Sequence, residues 1–315
     1  MIKHGTRIGV VMASHNRKDM TIECLRRLYS QEGKDNEFRL SVYLTDDGST
    51  DGTAEVVERE FPEVHILKGD GTLFWNGGMH LAFSEAMREI PDYYLWLNDD
   101  TFLDPCACKL LLSDYEKVST DGFRRHIIIG TTKDPNSVHI TYGGYIRRSI
   151  WHPFRYQALL PGNSPKPCDA MNGNCVLIAR EVVELVGNLD PVFTHFFGDN
   201  DYCLRARKLG CSIWVSTGYV GICECDGLLG GSWRDGTLPL RKRWAAIMSQ
   251  KDQPMRERMI YVRRHGGLLW PIIFCFPYLK CVFHPAQRNK HHNVYHSLLL
   301  EHKAKNIGSH AKTAD

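Results

Sequence analysis

Through the first 130 residues, short apolar and β-branched runs keep ending abruptly in clusters of Gly, Ser, Asn or Asp, and each cluster opens a segment with helical spacing. Arg7 to Ala13 gives way to Ser14-His15-Asn16, then to a segment reaching Gln31 in which Met20, Cys24 and Leu28 share one helical face. Gly33 supplies a stop, Phe38 to Leu44 alternates toward a second strand, and the turn cluster Asp46 to Gly52 opens another helix. Val64 to Leu67 reads as a strand, Gly77-Gly78 as the opening of a helix to Arg88, Tyr93 to Leu97 as a strand and Pro105 to Val118 as a helix. Strands alternating with helices of about 10 to 15 residues predict an α/β fold with a mostly parallel sheet covered on both faces. Ligands bind such sheets beyond the carboxyl ends of the strands. The loops at 14–16, 45–52, 68–78 and 98–104 are therefore expected to meet in one cleft.

Beyond the strand Ile127 to Gly130 the regularity weakens. Val138 to Ile146 reads as a strand of a smaller mixed sheet, Pro153 to Pro167 as a long loop, and Ala170 to Ala179 and Ser212 to Val215 as strands around a helix from Asn200 to Leu209.

Three clusters carry chemistry. In Leu44-Thr45-Asp46-Asp47-Gly48-Ser49-Thr50-Asp51 a strand end meets carboxylates able to accept the N3 hydrogen of a uracil or thymine ring; the alternative is an acidic turn capping a helix. In Leu97-Asn98-Asp99-Asp100-Thr101 two adjacent carboxylates follow an apolar strand, a pattern suited to a hard cation such as Mg2+ or to a solvated turn. In Phe196-Phe197-Gly198-Asp199-Asn200-Asp201 carboxylates open a helix behind an aromatic pair, where they either line a pocket or act as caps.

In this order and at these separations the clusters resemble the family 2 glycosyltransferases, over about Arg7 to Trp233. The resemblance implies a GT-A fold and a nucleotide-diphosphate sugar donor, UDP- or dTDP-linked. It places donor contacts at Ser14, Asn16, Arg17, Asp46, Asp47, Asn76, Gly77 and Asp99. Asn98-Asp99-Asp100 stands where the family carries a D-x-D motif, so Asp100, with Asp99, is the implied ligand of Mg2+ or Mn2+. Gly198-Asp199-Asn200-Asp201 is similar to the E-D-x-D stretch, which makes Asp199 the implied base of an inverting transfer to a hydroxyl of a glycan or lipid-linked acceptor. Gly198 stands where the family has Glu, and the stretch Gly221 to Asp226 lacks the family's His, leaving Glu224, Cys225 or Asp226 as stand-ins. The members it resembles include rhamnosyltransferase-like enzymes of bacterial cell-surface polysaccharide synthesis. A sugar nucleotidylyltransferase is the rival enzyme reading, but Ser14-His15-Asn16 is not its Gly-rich phosphate loop. A catalytically inactive nucleotide- or glycan-binding homologue is the non-enzymatic alternative.

The boundary falls near Leu240, giving a catalytic domain over 1–239 and a tail over 240–315. From Leu240 onward fourteen Lys/Arg face four Asp/Glu, +10, against 25 minus 32, or −7, for residues 1–239. Gly266 to Phe283 is apolar apart from Lys280, yet its length and two prolines argue against a full span. Apolar bulk beside a polybasic stretch suits an interfacial anchor on an anionic membrane surface rather than a nucleic-acid partner. The alternative is a helix pair packed on the catalytic domain or on a second copy. Eleven irregularly spaced cysteines fit reduced thiols, and the apolar stretch from Ile8 to Ala13 is shorter than a secretory signal needs. Both point to a cytoplasmic enzyme, peripheral on the inner face of the membrane.

Overall fold

The structure, a computed structural model, describes residues 5–137, 139–149, 151–224, 233–235, 238–250 and 252–283. Its first half is the expected alternation: β1 (Thr6–Ser14), α1 (Lys18–Tyr29), β2 (Phe38–Asp46), α2 (Thr53–Glu60), β3 (His65–Lys68), α3 (Phe74–Arg88), β4 (Tyr93–Leu97), β5 (Phe102–Leu103), α4 (Ala107–Thr120) and β6 (His126–Lys133). The second half adds β7 (Gly144–Arg147), β8 (Tyr156–Ala158), β9 (Lys166–Pro167), β10 (Ala170–Met171), β11 (Cys175–Ala179), α5 (Arg180–Val186), α6 (Gly198–Lys208) and β12 (Ser212–Ile222). Three helices follow, α7 (Leu240–Ile247), α8 (Met255–His265) and α9 (Trp270–Phe283).

The main sheet runs β3-β2-β1-β4-β11-β6-β12-β5, with β9 beside β12. β3, β2, β1 and β4 are mutually parallel, as are β6 and β12, while β11 lies antiparallel between β4 and β6. That one reversal matters. Because β11 runs backwards, its first residue, Cys175, pairs with Leu97 at the carboxyl end of β4. The turn Asn172–Asn174 just before β11 is thereby delivered to the cleft. The run 170–179 is thus two strands in two sheets, since β10 pairs with β7 in a three-stranded antiparallel sheet β10-β7-β8. The stretch expected as a long loop at 153–167 contains β8 and β9, and the strand expected over 138–146 is confined to Gly144–Arg147.

The core is built on Trp96, Tyr202 and Phe83, all fully buried, with ring centroids of Trp96 4.8 Å from Tyr202 and 5.6 Å from Phe83. α3 starts at Phe74, three residues before Gly77-Gly78. Gly78 serves packing rather than helix opening: a Cβ there would lie 2.8 Å from the Ala13 Cβ, so glycine is what lets α3 lie down on β1.

The helices after residue 239 pack on this unit. Phe193, Phe197 and Leu204 form one apolar cluster with Tyr261, Val262 and Ile273. Beneath it Asp201, fully buried, accepts from Arg205 Nε at 2.7 Å and meets Arg264 Nη1 at 3.1 Å and His265 Nε2 at 2.9 Å. Glu257 accepts from the Thr194 amide and hydroxyl. Burial pushes the Asp201 carboxyl up, but the bonds from His265 and Arg205 outweigh it and hold the pKa below its ordinary value. A lowered carboxylate contributes stability above its unfolded pKa of about 4 that is lost as pH falls through the folded value. Asp201→Ala takes the buried carboxylate away from Arg205 and His265, while Arg264 keeps Asp190 at 2.7 Å. The urea midpoint at neutral pH should correspond to a loss of about 3 kcal/mol, with proteolysis between 240 and 283 preceding cleavage elsewhere; an unchanged midpoint contradicts this anchor.

Candidate active site

Side chains and backbone tie the four expected loops together. The Asn16 amide donates to Ser49 Oγ at 2.9 Å and its side-chain oxygen accepts from Thr50 N at 2.7 Å, with Asn16 itself at φ 52°. His15 Nδ1 lies 2.6 Å from the Asp47 carbonyl. Asp47 is almost fully buried and its carboxylate is spent on the backbone, accepting from Gly71 N and Phe74 N, both at 2.9 Å. It holds the 69–74 loop and the start of α3 in place, and so shapes the cleft from behind. Asp46 is buried beside it, and among the described contacts its carboxylate accepts only from Ser49 N at 3.3 Å, which leaves capacity for a ligand. Ser14 closes β1 with its hydroxyl 2.8 Å from Thr21 Oγ1.

Arg17 reaches across from α1's start to the acidic pair, with Nη1 2.5 Å from Asp100 Oδ2 and 3.4 Å from Asp99 Oδ1. Cys223 Sγ donates to Asp100 Oδ1 at 3.5 Å. Asp99 is buried, and its Oδ2 has no hydrogen-bond partner. Desolvation first, and the neighbouring Asp100 charge second, push its pKa up to about 6 against the pull of Arg17. Among the described residues no three His, Cys, Asp or Glu side chains converge as a ligand set. Two adjacent carboxylates with one unsatisfied buried oxygen still fit a hard cation that takes one or two protein carboxylates and completes its shell with substrate oxygens and water. Of the expected stand-ins for the missing His, Cys225 and Asp226 lie outside the described residues.

Asn98 does other work. Its Oδ1 accepts from Trp75 Nε1 at 2.7 Å, and its amide donates to the Asn174 carbonyl at 2.9 Å. The Trp75 ring then fills the space in front of Gly173, where a Cβ would lie 2.6 Å from the indole and 3.2 Å from the Asp199 Cβ. The Gly173 N–H donates to Asp199 Oδ2 at 2.9 Å, while Asp199 Oδ1 accepts from Asn200 N at 2.7 Å and Asn200 Nδ2 at 3.1 Å. Burial raises the Asp199 pKa, with the Asn200 and Gly173 bonds opposing it. The acidic pair at the end of β4 and the carboxylate at the start of α6 are thus coupled through one tryptophan and one turn. Asp201, two residues on, faces the C-terminal helices instead.

Asn76 is fully buried. Its side-chain amide donates to the carbonyls of Asp190 at 3.0 Å and Phe193 at 2.6 Å, and its backbone N–H to Thr194 O at 3.0 Å. It therefore acts on the cleft through the 190–197 loop that carries α6, and Gly77 lies within the first turn of α3 behind it. The same amide explains residue 198, because a Cβ on Gly198 would sit 1.7 Å from Asn76 Oδ1. A side chain at 198 would therefore require the Asn76 side chain to leave its present position. Sequence reasoning missed Trp75, Gly173 and Cys223; the Asn172-Gly173-Asn174 triplet was the available signal, a turn inside an apolar run.

The raised Asp99 pKa has a definite consequence. Between about pH 4 and 6 the folded state holds a proton that the unfolded state has released, so ionising Asp99 costs stability as pH rises. In chelator near pH 8, Asp99→Asn should be more stable than the parent by up to about 2 kcal/mol, the gain shrinking toward pH 5. Equal melting temperatures of the two proteins near pH 8 contradict the assignment.

The family model described as Glycosyl transferase family 2 matches residues 9–187. An N-acetylglucosaminyl-diphospho-decaprenol L-rhamnosyltransferase of Mycobacterium tuberculosis (strain ATCC 25618 / H37Rv) is 24% identical over 225 residues, covering 64% of this chain and 70% of the relative. The low-salt glycan biosynthesis hexosyltransferase Agl10 of Haloferax volcanii is 23% identical over 154 residues, 48% of each chain. Among solved structures, that of S. aureus TarS superposes with a TM-score of 0.49 at 12% identity, covering 84% of this chain and 44% of TarS. With more than half of its length matched by the family model, the chain belongs to glycosyl transferase family 2, the family its ordered motifs resemble, and is a glycosyltransferase.

Proposed function

We propose that this enzyme transfers a sugar, with inversion, from a UDP- or dTDP-linked donor to a hydroxyl of a glycan or lipid-linked acceptor. One observation carries the reading: the Asp199 carboxylate, half-buried and held by three N–H donors, is fixed to the same turn that is bonded to the end of β4, next to Asp99 and Asp100. Asp199 takes the proton of the acceptor hydroxyl as the new glycosidic bond forms and the bond to the diphosphate breaks. No covalent intermediate on the chain is needed. Asp46, with Asn16 and Ser14 around it, binds the nucleoside, its free carboxylate capacity suiting the ring N3–H. Arg17, displaced from the acidic pair when the donor arrives, turns its guanidinium to the diphosphate, a partner that matches its fork geometry. Asp100 and Asp99 are the residues to hold Mg2+ or Mn2+, which supplies positive charge to the leaving diphosphate.

The acceptor class draws support from the mycobacterial relative, whose name describes a decaprenol-linked substrate. A lipid-linked acceptor and the cationic, apolar C-terminal segment agree with a peripheral position on the cytoplasmic membrane face.

Asp199 must be ionised to act, so turnover falls on the acid side as pH drops through its raised pKa. Asp199→Asn should cut turnover by about 10²- to 10⁴-fold with donor affinity nearly unchanged. Because the new amide NH2 must face an N–H donor, a stability loss of about 1–2 kcal/mol should accompany it. Assays with UDP- and dTDP-sugars decide this, and a variant with parental turnover returns Asp199 to a purely structural role. In the same assays Asp100→Ala should abolish dependence on added Mg2+ or Mn2+, whereas intact metal-dependent turnover moves the cation elsewhere.

A further inference from the structure

α9 is apolar on both sides. Ile273, Pro277, Tyr278 and Cys281 face the protein, while Leu268 and Leu269 just before it and Ile272, Phe276, Leu279 and Phe283 along it stay exposed, Leu268 at 99% and Phe283 at 76%. A further exposed aromatic comes from far away in sequence. The tip of the β7–β8 hairpin is pinned by Arg148 N donating to Arg155 O at 2.8 Å and by Arg155 N donating to His152 O at 3.0 Å. His152 stands edge-on to Phe276 at 6.4 Å, and Phe154 packs on Tyr261 of α8 at 4.9 Å. With those two rings turned to the helices, Trp151 is left 76% exposed beside them. The two apolar patches therefore adjoin.

Their charge is one-sided. Residues 139–168 and 258–283 contain no Asp or Glu, and Arg147, Arg148, Arg155, Arg263 and Lys280 are exposed among them. Lys280 Nζ sits 4.8 Å over the Phe276 ring, its stem along apolar surface and its charge at the edge. A second copy docking by two-fold symmetry would bring these cations against one another. α9, at 14 residues and with Pro277 inside, is too short to cross a bilayer, and among the described residues no helix is long and apolar enough to do so. A cationic rim around aromatic and aliphatic side chains matches an anionic headgroup layer over an acyl boundary.

The geometry points to a two-part interfacial surface, α9's outer face together with Trp151 and the arginines of the β7–β8 hairpin, that lies on an anionic lipid bilayer. This extends the peripheral-membrane reading above from the tail to the catalytic domain. β7 also pairs with β10, whose chain continues into the Gly173 turn that holds Asp199, so the hairpin connects the lipid surface to the acceptor side of the cleft.

Flotation of the full chain with vesicles of phosphatidylcholine alone, or of equimolar phosphatidylcholine and phosphatidylglycerol, tests this. The parent should bind the anionic vesicles and be released by salt. Trp151→Ser should weaken that binding by about three- to tenfold, as should the double change Leu268→Ser/Ile272→Ser, each leaving donor hydrolysis in solution intact. Parental binding by Trp151→Ser removes the hairpin from the surface and overturns the two-part proposal. Equal binding to both vesicle types removes its electrostatic basis. Self-association that these variants abolish while vesicle binding persists assigns the face to a second copy and equally overturns it. Failure of the transfer reading would show instead as absent turnover in a parent that still floats with anionic vesicles.

Discussion

The indole of Trp75 is the wedge on which the cleft depends. Its N–H is fixed by Asn98 at the end of β4, and its ring lies against Gly173, where any side chain would collide with it. Asn98 also bonds the backbone of the same turn through Asn174. With the turn clamped on both sides, the Gly173 N–H has one direction to point, and it points at Asp199. The antiparallel insertion of β11 makes this possible, because a parallel strand there would bring its other end to the carboxyl edge of β4. Sheet topology, one glycine and one buried hydrogen bond thus set the relation between the acidic pair at the end of β4 and the proposed base.

Two of the three departures from the family pattern, Asn98 and Gly198, are accounted for by contacts. Asn98, in place of the first acid of the D-x-D motif, has its side-chain oxygen committed to Trp75, so the proposed cation falls to its two neighbours. Gly198, in place of Glu, makes room for Asn76, whose amide ties α3 to the loop that delivers α6. That second exchange has a cost, since Asn76 Oδ1 is buried without a partner, a penalty of about 1–3 kcal/mol. Two bonds to backbone carbonyls and the placement of Asp199 offset it. Arg17 plays a comparable part at the acidic pair, where its guanidinium tempers like-charge repulsion between Asp99 and Asp100.

Much of the frame was legible because it is local. The strand Tyr93–Leu97 and the four cleft loops follow from runs of apolar residues stopped by turn formers, and these patterns survive folding unchanged. What escaped was non-local. Ala170 to Ala179 reads as one apolar run, yet the Asn-Gly-Asn triplet inside it divides two strands of different sheets. Gly77-Gly78 suggested a helix opening, whereas Asp47, twenty-seven residues before Phe74 in sequence, fixes the true start. The seat of the C-terminal helices rests on Asp201 meeting Arg264 and His265, more than sixty residues apart, and no local pattern announces such a pairing.

The central claim, that Trp75 acts on catalysis by positioning Asp199, is tested most directly by a double-mutant cycle on turnover. Trp75→Phe keeps an aromatic wedge but removes the N–H to Asn98. In the parent background it should lower kcat by about tenfold with donor affinity little changed, and in an Asp199→Asn background it should lower kcat no further. If the two losses multiply instead, Trp75 and Asp199 act independently and the turn does not couple them.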